Sequence, residues 1–273
     1  MTEKSFAKYE LQTALLDGLF ESTWKIKDAH LQLREIERWF EDGDIYLKLY
    51  VPISLGVQAE SILLTILKLT GLQGAIIEPM QSDLFLEPKD DAKLKNAGYA
   101  ITTEYALLKE AGLDIGKKGY TQLRTYLEQM SMVRVFYQNK RTGWRGADWF
   151  LRYRAHDNGR LIVQLNWRLT GAIFGEYLHA EINMTERNTL KKDAAKTLHR
   201  WLSAHLWAGK SEFITYEALI GHVWSKPGLP GAIRERKRAL KNEILSNFRS
   251  LSYWDIEIGE RGATITHRKE PKK

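Results

Sequence analysis

The seven residues SKPGLPG (Ser225–Gly231) hold two prolines and two glycines. Proline lacks an amide donor and clashes with the preceding helical turn, so this stretch cannot run as regular helix. It therefore separates two elements: YEALIGHVW (Tyr216–Trp224), read as a short helix, and the segment Gly231–Phe248, read as a longer one. The short strand EFIT precedes the pair. Before it, Thr185–Trp207 places Leu190, Ala194, Leu198, Trp201, Leu202 and His205 at helical spacing, which reads as one long helix. After the pair, YWDIEIGERGATITH (Tyr253–His267) alternates on both sides of GERG, the pattern of a hairpin. Helix, short strand, helix, turn, helix, two-stranded hairpin is the order of a winged helix-turn-helix.

A similar order is legible upstream. IYLKLYV (Ile45–Val51) alternates Ile45, Leu47, Leu49 and Val51 as a half-buried strand, with the turn Glu41–Asp44 closing back on Leu31–Phe40. Ala59–Leu69 is apolar nearly all round and stops at Gly71, which reads as a buried helix. Ile101–Leu113 runs from strand into helix with Thr103 as N-cap, and Gly119–Met130 is helical. VRVFYQN and DWFLRYRA flank the basic turn Lys140–Gly146 and are read as the hairpin of this unit. The expected class is α+β, two tandem winged helix-turn-helix domains over residues 1–168 and 169–273, with the boundary after the strand LIVQL (Leu161–Leu165).

Charge is distributed unevenly. The net charge is +7, yet residues 1–60 sum to −4 and the remainder to +11, an asymmetry suited to an anion-facing surface. The absence of cysteine excludes disulfides and thiolate metal sites and fits a reducing compartment. No apolar run has the length of a membrane span, and MTEKSFAKYELQ lacks the pattern of a signal peptide. A cytoplasmic protein with no membrane partner is expected.

The densest charge lies in Gly231–Ile244. At about 100° per residue, Arg234, Lys237, Arg238 and Lys241 form one stripe, Arg236 points elsewhere, and Ile233, Leu240 and Ile244 gather toward a core. Only Glu235 interrupts the run, so the salt-bridge ladder of an ordinary exposed helix is missing. A basic stripe on the last helix of a helix-turn-helix suits the major groove, where Arg bonds guanine and Lys neutralises phosphate. Arg261 at the hairpin tip, with His267, is expected to rest on the DNA backbone or in the minor groove. In the first unit Lys117, Lys118 and Arg124 flank the corresponding helix. Lys140, Arg141 and Arg145 lie on its hairpin, where backbone contact is the expected role, and Trp144 is the candidate exposed aromatic.

Nothing in the chain points to catalysis. There is no Gly-rich phosphate loop, no HExxH, no histidine pair at metal-ligand spacing, and no His-hydrophobic-His cluster of a nicking endonuclease. Asp90–Asp91 form no pattern with other acids, and His199 and His205 read as packing or surface residues. No catalytic residue, metal or cofactor is expected. Trp201, Trp207, Trp224 and Trp254 read as core filling.

The stretches GRLIVQLNWRLTGAIFGEYLHAEINM, TLHRWLSAHLWAGKSEFITYEALIGHVWSK, IRERKRALKNEI and LFLEPK resemble the RepC-type replication initiators of IncQ-like plasmids. The likeness runs from about Gly18 to Arg268 and rests on patches, their spacing and element order. It implies a protein with two winged-helix domains that binds direct repeats, the iterons, in double-stranded plasmid origin DNA. It also implies preparation of adjacent DNA for the plasmid's helicase and primase, without a catalytic site. Two other readings stand beside it: a winged-helix transcriptional regulator and a DNA-processing enzyme. The acidic N-terminal portion, with Trp24, Trp39 and Phe40, is read either as a self-association surface for a homodimer or as part of the first fold.

Overall fold

A computed structural model describes residues 5–20, 33–40, 43–52, 55–72, 78–79, 96–156, 158–224 and 230–271. LFLEPK, Asp90–Asp91, Trp24 and most of the SKPGLPG turn lie outside these residues. The fold is mixed α+β. The chain begins with β1 (Phe6–Glu10) and the single turn α1 (Leu11–Ala14), then β2 (Leu33–Phe40) and β3 (Ile45–Pro52). β3 buries Ile45, Leu47, Leu49 and Val51 as the alternation requires. Next come α2 (Val57–Leu72) and the two-residue strands β4 (Glu78–Pro79) and β5 (Asn96–Ala97). β6 (Tyr99–Thr103) leads directly into α3 (Glu104–Glu110), where the Thr103 hydroxyl accepts from the Ala106 amide at 3.1 Å. α4 (Lys117–Ser131), β7 (Arg134–Asn139), β8 (Trp144–Trp149), β9 (Leu151–Ala155), β10 (Arg160–Leu165) and α5 (Trp167–Ile173) follow.

β4 and β5 pair with each other, and the strands β2, β3 and β6 to β10 divide between two larger sheets. One is four-stranded, in the order β2-β3-β7-β8; the other is three-stranded, β6-β10-β9, and both are antiparallel throughout. This corrects the expected hairpin. VRVFYQN and Trp144–Trp149 pair with each other but extend the β2-β3 sheet. The hairpin that joins β6 is β9–β10, and DWFLRYRA is split at Phe150 between the two sheets. Phe150 is buried, and its amide donates to the Val133 carbonyl, so the chain turns inward there and leaves one sheet for the other.

β11 (His179–Asn183) pairs antiparallel with β1, Phe6 facing Asn183, and so ties the start of the described chain to its middle. The expected long helix Thr185–Trp207 is two: α6 (Met184–Thr189) and α7 (Asp193–His205). The break falls at Leu190, whose backbone is extended and whose side chain is buried. α6 is capped by the Asn183 side chain, which accepts from the Glu186 amide at 3.2 Å.

β12 (Ser211–Thr215), α8 (Tyr216–Val223), α9 (Pro230–Ala239), a π-helical turn (Leu240–Ile244), α10 (Leu245–Phe248), β13 (Trp254–Ile258) and β14 (Gly262–His267) complete the chain. Pro230, expected to be non-helical, opens α9 one residue before the expected start; in a first helical turn the missing proline amide has no helical partner to lose. The sheet order is β12-β14-β13. The two three-stranded sheets share a plan. In each, the first strand follows a helix (α2 or α7), two helical segments follow that strand, and the last strand lies between the other two.

Buried apolar residues form two clusters. The first runs from Ala7 through α2, α4 and β10 to Met184, with Ala204 of α7. The second runs from Leu190 to Ile265. The boundary expected at Leu169 falls inside α5, and Leu169 and Ile173 pack into the first cluster. Trp201 and Trp254 fill the second cluster and Trp224 packs at its edge, but Trp207 is 56% exposed.

A set of buried ions joins the clusters. Glu60 of α2 takes Arg187 of α6 at 2.5 Å and Arg200 of α7 at 2.7 Å, and all three are buried. Arg200 also donates to the carbonyls of Ala14 and Leu16, and Arg187 to that of Lys196. Beside them Arg168 pairs with the buried Glu10 and bonds Gln12. Buried charge is tolerable only when paired and bonded in this way. Among the described residues no helix is long and apolar enough to cross a membrane.

Candidate nucleic-acid interface

α9 carries the basic run and buries none of its residues. Its continuation does the packing: Leu240, Ile244, Leu245 and Phe248 are buried in the second cluster. The change comes at the π-helical turn, where the Leu245 amide donates to the Leu240 carbonyl, one residue further back than in an α-helix. The wider turn resets the angular phase, so a 100° projection across it fails. Ile233, expected on the core side with Leu240, is 42% exposed. The N-terminal half of the helix thus buries none of its side chains and meets the rest of the unit on its α8 side.

Arg234 and Arg238 are exposed, and Lys237 and Lys241 are half-buried. Lys237 reaches an acid only at 4.0 Å, the exposed Glu217, a weak pairing. Its ammonium lies 5.2 Å from the centre of the Tyr216 ring. Arg236 is half-buried, 5.7 Å from the Trp224 ring, so it belongs to the α8 side of the helix and not to the stripe.

Tyr216 also fixes the hairpin. Its hydroxyl donates to the Gly259 carbonyl at 2.7 Å and its amide to the Arg261 carbonyl at 3.1 Å. The tip can approach this closely because of Gly262: a Cβ there would stand 2.2 Å from the Ile214 carbonyl oxygen. One buried ring thus touches both the basic helix, through Lys237, and the hairpin tip that carries the exposed Arg261. Burial pushes the Tyr216 phenol pKa up, so it remains a donor near neutrality.

His267 is placed apart from Arg261. It sits at the base of the hairpin, stacked on Trp254 at 4.4 Å, with Nδ1 2.7 Å from the Leu206 carbonyl. Packing accounts for its position.

In the first unit, Lys117 and Lys118 are exposed in the first turn of α4. Arg124, expected beside them as a cation for DNA, is held by Glu104 through two bonds, at 2.8 and 2.9 Å. Arg141 pairs with Asp44 at 2.5 Å, and Lys140 lies 4.1 Å from the Trp39 ring. Arg145 is exposed, and nothing is described of the Trp144 side chain. These three cations border the four-stranded sheet, not the β9–β10 hairpin. The cations that hairpin does carry are Arg152, Arg154 and Arg160, all exposed. Sequence reasoning missed them because it assigned the hairpin one strand too early; their alternation along LRYRA was the available signal.

A family model for replication protein C (RepC) matches residues 2–263. The chain belongs to the RepC family. No curated protein matches its sequence. Two crystal structures of domains 2 and 3 of RctB are similar to this RepC-family chain in fold. One, of selenomethionine derivatives, has a TM-score of 0.53 at 10% identity, covering 92% of this chain and 95% of that one. The other, RctB-155-483, has a TM-score of 0.52 at 8% identity, covering 94% and 96%. The likeness spans both clusters of the RepC-family chain, and at such identity it is a likeness of architecture.

Proposed function

We propose that this RepC-family protein is a plasmid replication initiator that binds direct repeats, the iterons, in double-stranded origin DNA of an IncQ-like plasmid. On this reading each three-stranded sheet with its helices is a winged helix-turn-helix. The units meet near residues 184–190, where the first buried cluster gives way to the second. The helix α9 enters the major groove, Arg234 and Arg238 read base edges, and Lys237 and Lys241 neutralise phosphate. Arg261 follows the backbone beside it.

The observation that carries this reading is the basic half-helix α9, none of whose side chains is buried, lying beside Tyr216, which also holds the hairpin tip that carries Arg261. The β9–β10 hairpin gives the first unit a second backbone contact, with Lys117 and Lys118 at the start of α4. Two footprints on one duplex raise affinity through effective concentration.

The protein acts by binding, in the cytoplasm, and prepares the origin for the plasmid's helicase and primase; it performs no catalysis of its own. The test is quantitative binding to a library of origin repeats, together with replication of a cloned origin in cells. Selection of a tandem repeat, and loss of replication when that repeat is scrambled, is the expected result. Repeat binding without any support of replication would favour a transcriptional regulator.

A further inference from the structure

The outward face of the four-stranded sheet is rich in rings and cations. The inward positions of β3 are aliphatic, and Leu47, Leu49 and Val51 are buried there beside Val135 of β7. The outward positions of β3, β7 and β8 hold no Leu, Ile or Val. They hold rings and cations: Tyr46, Lys48 and Tyr50 on β3, Phe136 beside Arg134 on β7, and Arg145 and Trp149 on β8. Trp39 of β2 extends the row, 46% exposed and 4.7 Å from Tyr46 between ring centres.

Cations lie over these rings. The Arg134 guanidinium is 4.3 Å from the Trp149 ring, the Lys48 ammonium 5.2 Å from that of Tyr50, and Lys140 4.1 Å from that of Trp39. Tyr50 and Phe136 meet edge to face at 5.6 Å. A groove of about 580 Å³ runs between them, bounded by Tyr46, Tyr50, Phe136, Gln138 and Arg145. The acids of the face are confined to the edge strand β2 and are engaged: Glu35 with Lys48 at 2.7 Å, and Glu37 with the Tyr46 hydroxyl at 2.5 Å.

We infer that this face binds single-stranded DNA, its rings stacking on unpaired bases and Arg134 and Arg145 meeting the phosphates. An open sheet studded with π-faces and cations suits a strand whose bases are splayed, because every base offers a ring. A duplex hides those rings inside its stack. Protein interfaces use the same rings and arginines, so self-association is measured beside DNA binding. The choice of DNA over RNA rests on the reading that α9 grips duplex DNA. The sheet face would then hold strands separated beside the bound duplex.

The experiment measures binding of the full chain to fluorescent oligo-dT of about twenty nucleotides. Duplex binding is measured in parallel, oligo-rU serves as competitor, and sedimentation reports self-association. Phe136→Ala and Tyr50→Ala should each weaken oligo-dT binding about five- to hundredfold and leave duplex affinity unchanged. Phe136→Leu, which keeps bulk in place, should weaken it as well, which covers the case in which the alanine variant fails to fold. Photocrosslinks from bromodeoxyuridine strands should fall on β3, β7 and β8. Unchanged oligo-dT binding in all three variants, crosslinks confined to α9, or preference for oligo-rU would each overturn the assignment. So would variants that lose self-association yet keep oligo-dT binding, since the face would then belong to a second copy. Unchanged duplex binding by α9 variants, with oligo-dT binding still weakened by the sheet variants, would defeat the duplex reading alone.

Discussion

Glu60 and Arg187 face each other at 2.5 Å, both wholly buried, one on α2 and one on α6. Arg200 completes the group from α7. Removal of the carboxylate leaves two guanidinium groups in an apolar setting. Glu60→Ala should therefore destabilise the fold by about 3–5 kcal/mol, well beyond an ordinary surface change. Urea denaturation followed by circular dichroism measures it, and a midpoint within error of wild type would show that water or movement satisfies the arginines.

Arg238 is exposed near the end of α9. If it reads a base, Arg238→Ala should cost about 1–3 kcal/mol and relax preference at one position of the repeat. Lys241→Ala should instead weaken all sequences alike and lower the salt slope by about one. Titration against a repeat library at several salt concentrations distinguishes the two behaviours.

Arg152 and Arg154 project from the β9–β10 hairpin, whereas Arg124 is already bonded twice by Glu104. The double variant Arg152→Ala/Arg154→Ala should reduce the salt slope of origin binding by about two. Arg124→Ala should leave the slope as it is. The opposite ranking would place the duplex on the α4 flank and not on the hairpin.

His199 is fully buried between Phe248 and Trp254, with its nearest acid, Glu186, 3.7 Å away. Burial lowers its pKa, the carboxylate opposing this in part. The folded state thus favours the neutral ring, and the unfolded chain takes up the proton first as pH falls. The corresponding stability is present above the ordinary histidine pKa of about 6.5 and is lost as pH falls from there toward the lower folded value. His199→Gln should flatten this segment of the stability profile. Urea midpoints at pH 7.5 and pH 5.5 compare the slopes.

What local pattern controls was legible in the sequence. The alternation of Ile45–Val51, the Thr103 cap and the hairpin around GERG depend on neighbours a few residues away. Sheet membership was not legible. VRVFYQN is equally strand-like beside β3 or β6, and its register is set by residues some ninety positions earlier. Nor does a charge announce its own burial. Glu60 stands as the lone acid in an apolar helix, and only the folded chain brings Arg187 and Arg200 to it. The basic site was half readable. Arg234 and Arg238 emerged from the run itself, but the π-helical turn that frees Ile233 from the core has no pattern in the sequence that marks it.

The pairing of β1 with β11 sets an order of events during synthesis. Ala7 and Tyr9, both buried in the finished protein, find their partner strand only after residues 179–183 have left the ribosome. The carbonyl of Ala14 waits longer, for Arg200, 186 residues away. At about 5–20 residues per second, these groups stay unmatched for roughly ten to forty seconds. The growing chain therefore carries a sticky, unpaired segment while the intervening residues are made. A ribosome-bound chaperone that shields it should raise the yield of native protein more than any help given after release.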